Sequence, residues 1–205
     1  MRVERLREEF PLDVEWCPYQ LYPGTPPEGV AMARILGRGR YTPDYFDYLR
    51  QTAAEAGIHM VERTLFPNSR PSLEAAEFAR EAGAFEPFHR AAFSAYFEHD
   101  RNIGDLAVLR ELAEGCGMGG DALAAALSGG RYAPLVDEKV SWARSLGLGG
   151  IPTFIFDDRF AMIGGQEYAV FRSLAERVLQ LRGQREAGGD SSGFETQTSD
   201  VDAQA

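Results

Sequence analysis

Cysteine is scarce in this chain. Only Cys17 and Cys116 occur in 205 residues. They stand about a hundred positions apart, so they form neither a Cys-x-x-Cys pair, nor a metal-ligand spacing, nor the framework of a disulfide-stapled secreted domain. Histidine is scarcer than chance metal chemistry would need: His59, His89 and His99 have no ligand spacing and read as ordinary surface or helix residues. No apolar run approaches the ~18 residues of a membrane span. The amino terminus, Met1-Arg2-Val3-Glu4-Arg5-Leu6-Arg7, reads as neither a signal peptide nor a membrane anchor, so the expected compartment is cytoplasmic. Positive charge is also in deficit. With 21 basic against 31 acidic residues, the net charge of −10 repels phosphate backbones, and no nucleic-acid partner is expected.

What is present suffices for a packed core. Hydrophobic residues make up 44% and aromatic residues 11% of the chain. The densest signal is Gly149-Gly150-Ile151-Pro152-Thr153-Phe154-Ile155-Phe156, followed by Asp157-Asp158 and a second apolar run, Phe160 to Ile163. A β-branched and aromatic run, an Asp-Asp turn and another such run predict a β-hairpin whose first strand begins after Pro152. Gly147-Leu148-Gly149-Gly150 leads into a strand instead of a helix, so it lacks the amide cradle of a phosphate loop.

Around the hairpin the periodicities are mostly helical. Val3, Leu6 and Phe10 give two amphipathic turns ended by Pro11. Residues 12–21 alternate like a strand, with Val14, Trp16 and Pro18 on one side and Glu15, Cys17 and Tyr19 on the other. Residues 22–29 form a Pro/Gly loop. Thr42-Pro43-Asp44 predicts a capped helix that stops at Gly57. Residues 58–66 make a connector. Ser69 or Ser72 is expected to cap a helix ending before Gly83, although Asn68-Ser69 also suits a cap. A strongly apolar helix covers 86–97, with Phe85, Phe88, Ala92, Phe93, Tyr96 and Phe97 expected in the core. Asp105 caps 106–114, helices follow at 121–127 and 133–146, and a last helix covers 166–181. From Gly183 the composition turns to Gly, Ser, Thr, Gln and acids, which predicts a disordered tail over 183–205. Cys17 reads as a half-buried packing residue of its strand, and Cys116, between Gly115 and Gly117, as a helix-end residue.

Several stretches resemble one family together. Gly150-Ile151-Pro152-Thr153-Phe154-Ile155-Phe156-Asp157-Asp158, Val14-Glu15-Trp16-Cys17-Pro18-Tyr19, Pro67-Asn68-Ser69-Arg70, Ala95-Tyr96-Phe97-Glu98 and Arg101-Asn102-Ile103-Gly104-Asp105 are similar in order and spacing to the DsbA-like thiol–disulfide oxidoreductases, in the FrnE-type branch. The resemblance spans roughly 2–179. It implies an α/β thioredoxin-like fold, with residues 1–22 and 147–182 as the thioredoxin-like part and 23–146 as an inserted helical domain with its connecting loops. It implies a cis Pro152, with Ile151, Pro152 and Thr153 as the substrate-binding residues beside an extended peptide. It implies a thiol- or disulfide-containing protein, or a small thiol, as substrate, and no cofactor. The family's first strand and Cys-x-x-Cys are absent from the 205 residues, so no catalytic residue is assigned and the pair is expected to be lost or to lie upstream of Met1. The kappa-type glutathione transferases and 2-hydroxychromene-2-carboxylate isomerases are an alternative that would bind glutathione. A non-catalytic peptide-binding module is another. Without the first strand, residues 13–20 and 153–156 are expected to face each other across a vacancy of roughly 9–10 Å, each with an unpaired edge.

Overall fold

The structure, a computed structural model, describes residues 2–36, 42–148, 150–188 and 195–197. The chain divides into two compact units, one made of Met1–Cys17 with Ala143–Ala205 and one of Pro18–Trp142.

The second unit is helical. Its elements are β1 (Val30–Ala31), a 3₁₀ turn (Met32–Arg34), α2 (Pro43–Glu55), β2 (Leu65–Phe66), α3 (Arg70–Glu81), α4 (Phe85–Phe97), α5 (Leu106–Gly115), α6 (Gly120–Ser128) and most of α7 (Ala133–Ser145). The starts follow cap chemistry. Thr42 Oγ1 accepts from Tyr45 N (3.2 Å) and Asp105 Oδ1 from Ala107 N (2.8 Å), each satisfying a first-turn amide. Before α3, neither Ser69 nor Ser72 does this work. Asn68 Oδ1 accepts from Arg70 N (2.9 Å), while the Ser72 hydroxyl donates to Ser69 O (2.8 Å). Ala75, Ala79, Phe88, Ala92, Leu109, Ala113, Met118 and Leu123 close one core among α3, α4, α5 and α6. Phe93, expected in that core, is 54% exposed. A helix has one face to bury: Phe88, Ala92, Ala95 and Tyr96 take it, which turns Phe93 outward with Phe85, His89 and Phe97 at i, i+4 spacing.

The first unit carries α1 (Arg2–Glu9), β3 (Thr153–Phe156), β4 (Phe160–Ile163), α8 (Tyr168–Gly188) and β5 (Glu195–Gln197). The sheet order is β3-β4-β5, antiparallel between β3 and β4 and parallel between β4 and β5. Leu6 of α1, Phe160 and Met162 of β4, and Phe171, Leu174, Ala175 and Val178 of α8 form its core, with Phe154 and Phe156 packed on it. Two expectations change here. The tail does not begin at Gly183: α8 continues to Gly188, and Glu195–Gln197 is a strand. The remainder of the 183–205 segment lies outside the described residues.

Residues 11–20 form no strand. The alternation in burial is present, with Leu12, Val14, Trp16 and Pro18 more covered than Asp13, Glu15 and Cys17. Leu12 packs on the first unit's core. A strand, however, needs a neighbouring row of backbone groups as well as alternation, and among the described residues this segment has no ladder partner. The expected pair of facing edges is therefore a single one, on β3. Cys17 is exposed instead of half-buried in a sheet.

Candidate functional site: the open edge of β3

The hairpin turn explains why β3 is held so firmly. Asp157 and Asp158 have φ of 56° and 53°, and Arg159 N donates to Phe156 O (3.1 Å). Two consecutive left-handed residues make the tight turn whose twist matches the flanking strands, and aspartate adopts that conformation more readily than most residues. Asp157 is then clamped from α8: Arg182 Nε donates to its Oδ1 (2.6 Å), and Arg185 Nη1 lies 3.7 Å from Oδ2. On the core face, Phe154 meets Phe171 edge to face at 4.7 Å.

The Ile151–Pro152 peptide is cis. Gly164 N donates to Pro152 O (2.8 Å), and Thr153 Oγ1 to Gly150 O (2.7 Å). The first bond fixes which way the backbone groups point. In an antiparallel pair, alternate residues direct both N–H and C=O to the same neighbour. Pro152 faces β4, and so do Phe154 and Phe156. Ile151, Thr153 and Ile155 therefore present their N–H and C=O on the opposite edge, where β3 has no ladder partner among the described residues. Ile151 is 53% exposed, and its main chain makes no hydrogen bond to a described residue. The expected substrate-binding residues thus occupy one edge: Ile151 and Thr153 direct main-chain groups along it, and Pro152 separates them. Sequence reasoning missed Ile155, which continues the same row; the period of two would have found it.

The other chemical candidates are elsewhere. Cys17 and Cys116 lie in different units and form no disulfide. Cys17 Sγ donates to Glu15 Oε1 at 3.9 Å. Cys116 closes α5, and burial raises its pKa, the opposite of what a nucleophilic thiol needs. Among the described residues, no group of His, Cys, Asp and Glu is arranged to hold a metal ion. None of the described helices is long and apolar enough to cross a membrane. Asn68, in the corner singled out by sequence, ties loops together: its Oδ1 accepts from Gln20 Nε2 (3.3 Å) and its Nδ2 donates to Thr25 O (2.9 Å). Gln20 belongs to the helical unit, not to the thioredoxin-like part expected over 1–22.

A cis-proline hairpin backed by a helix, with a helical unit between it and the amino-terminal helix, defines a thioredoxin-like protein of the DsbA kind. The chain belongs to the DSBA-like thioredoxin domain family, whose profile matches residues 1–175. It is 26% identical to YwbO, an uncharacterized protein of Bacillus subtilis (strain 168), over 155 residues, 72% of this chain and 73% of that one. Its fold is similar to that of a probable DsbA oxidoreductase from Streptomyces coelicolor, with a TM-score of 0.79, 22% identity, and coverage of 100% of this chain and 87% of the other. A 2-hydroxychromene-2-carboxylate isomerase is similar at a TM-score of 0.63 and 20% identity, covering 93% and 91%.

Proposed function

We propose that this protein is a cytoplasmic thiol–disulfide oxidoreductase of the FrnE-type branch that docks an extended, cysteine-bearing polypeptide or a small thiol along the free edge of β3. The observation that carries the reading is that edge: exposed Ile151 and half-buried Thr153 and Ile155 direct alternate N–H and C=O groups along a side of β3 that has no ladder partner among the described residues. A peptide that adds there as a strand gains main-chain hydrogen bonds without any demand on its sequence, which suits an enzyme acting on many partners.

The chemistry of the reading is thiol–disulfide exchange. A thiolate attacks one sulfur of the substrate disulfide, a mixed disulfide forms, and the other substrate sulfur leaves as a thiolate. A second thiol of the enzyme then attacks the mixed disulfide and releases the reduced substrate, leaving the enzyme disulfide. Cys17 and Cys116 form neither a disulfide nor a Cys-x-x-Cys, so the reading calls for a redox pair that these residues do not supply. Insulin reduction with a thiol reductant tests it. The 205-residue chain should show no turnover, and the reading frame extended upstream by a segment bearing Cys-x-x-Cys should show it. Glutathione-dependent isomerase or transferase activity of the extended frame, without insulin reduction, would favour the glutathione enzymes instead.

A further inference from the structure

A second site lies wholly within the helical unit. The start of α2, the 3₁₀ turn at 32–34 and the connector at 60–63 line an open pocket of about 150 Å³. Met32, Leu36, Phe46, Met60 and Val61 give it an apolar wall. That wall is held in place by backbone hydrogen bonds. Val61 N donates to Phe97 O (2.9 Å) and Met32 N to Thr64 O (2.9 Å). Thr64 N and Oγ1 donate to the Asp100 carboxylate (2.9 and 2.7 Å).

At this wall stands a cation, Arg63, whose near partners among the described residues are aromatic rings and a hydroxyl. Arg63 is half-buried, and its guanidinium lies 4.9 Å from the ring centre of Tyr96, 5.3 Å from that of Phe97 and 5.5 Å from that of Phe46. Nη1 donates to the Tyr96 hydroxyl (2.6 Å). Burial raises the Tyr96 pKa, so that hydroxyl stays neutral and supplies no negative charge. Among the described residues no carboxylate forms an ion pair with Arg63. The other two charges at the cavity are accounted for differently: Arg50 is paired with Asp47, and Glu62 is exposed, where water screens it. A guanidinium has five donors, and the Tyr96 hydroxyl takes one of those of Arg63.

We propose that this cavity binds a small amphipathic monocarboxylate, with an apolar body of about six carbons filling the space and the carboxylate paired to Arg63. The size follows from the volume, since an apolar cavity of ~150 Å³ takes a guest the size of benzene. The head group follows from the remaining donors of Arg63, which a carboxylate meets with two parallel hydrogen bonds. This assignment is independent of the β3 edge.

Chemical-shift titrations of the 205-residue protein with sodium hexanoate, hexan-1-ol and hexylamine test it. Hexanoate should saturate, with shifts confined to the cavity residues and the Arg63 side chain. Hexan-1-ol should bind at least tenfold more weakly, and hexylamine more weakly still. Arg63→Gln should weaken hexanoate at least tenfold and leave hexan-1-ol unchanged; Met60→Trp, which fills the space, should abolish both. The comparison of ligands on the unmodified protein decides the matter even where a variant fails to fold. No saturable binding of hexanoate, equal affinity for hexan-1-ol, or preference for hexylamine would each overturn the proposal.

Discussion

The two compact units solve the problem of burial in opposite ways. The helical unit draws its core from four helices that follow one another in sequence, so every element closes on a near neighbour. The sheet unit joins Leu6 of α1 to residues 160–178 of β4 and α8, across more than a hundred intervening positions. One unit is closed by its own side chains; in the other, β3 keeps an edge with no ladder partner among the described residues. The proposed docking of a polypeptide therefore draws on the sheet unit and not on the helical one.

The largest expected effects come from removing the central aromatic of each core. Phe88 and Phe171 are 0% and 1% exposed. Truncation of either to alanine should cost about 3–5 kcal/mol. The comparison predicts where the damage appears. Hydrogen exchange should accelerate in α1, β3, β4 and α8 for Phe171→Ala, and in α3 to α6 for Phe88→Ala. Uniform acceleration in both variants would mean that the two units behave as one.

A smaller effect separates polar from apolar closure within the helical unit. Arg70 donates to Glu74 (2.5 Å), to Asp137 (2.5 Å) and to Ala133 O (2.8 Å), which ties α3 to α7. Glu74 is 8% exposed. Arg70→Ala leaves that buried carboxylate without its partner, at an expected cost of about 3 kcal/mol in denaturant melts. Arg70→Ala combined with Glu74→Leu should recover most of it.

The smallest effect is acid dependence, and it touches both units. The Glu9 pKa is lowered by the Tyr168 hydroxyl and by Arg172 and Arg5, and the Asp137 pKa by Arg70. A carboxyl depressed by folding contributes stability that is present above its unfolded pKa, near 4, and lost as pH falls through its folded value. Carboxyl NMR titration should place both midpoints below the ordinary carboxylate range. Arg172→Gln should move only Glu9 upward, and Arg70→Gln only Asp137.

Much of this architecture is legible in the chain because it is local. The hairpin follows from Pro152, the Asp157-Asp158 turn and the two apolar runs. Helices α2 and α5 begin where Thr42 and Asp105 stand, and α2 ends before Gly57, whose φ is +75°. What escapes sequence reading is non-local. Strands β1 and β2 are two residues each, too short for any periodicity. Asn68 caps α3, as Asn68-Ser69 allowed, but its further bonds with Gln20 and Thr25 join distant loops and are not legible locally. The Arg63 cage brings together residues 46, 63, 96 and 97, and no local pattern announces it. Alternation over 12–18 marks burial correctly yet cannot show that this segment has no ladder partner among the described residues.

The most direct measurement of the central claim follows backbone amides while reduced insulin B chain, a cysteine-bearing extended polypeptide, is added to the protein. The account predicts saturable shifts and slowed exchange at the outward amides of Ile151, Thr153 and Ile155, with the inward amides of Phe154 and Phe156 little changed. Ile155→Pro, which removes an outward donor and no β3–β4 bond, should abolish the response while the hairpin stays folded. A response centred on the helical unit, or one that survives Ile155→Pro with the edge amides silent, would contradict it.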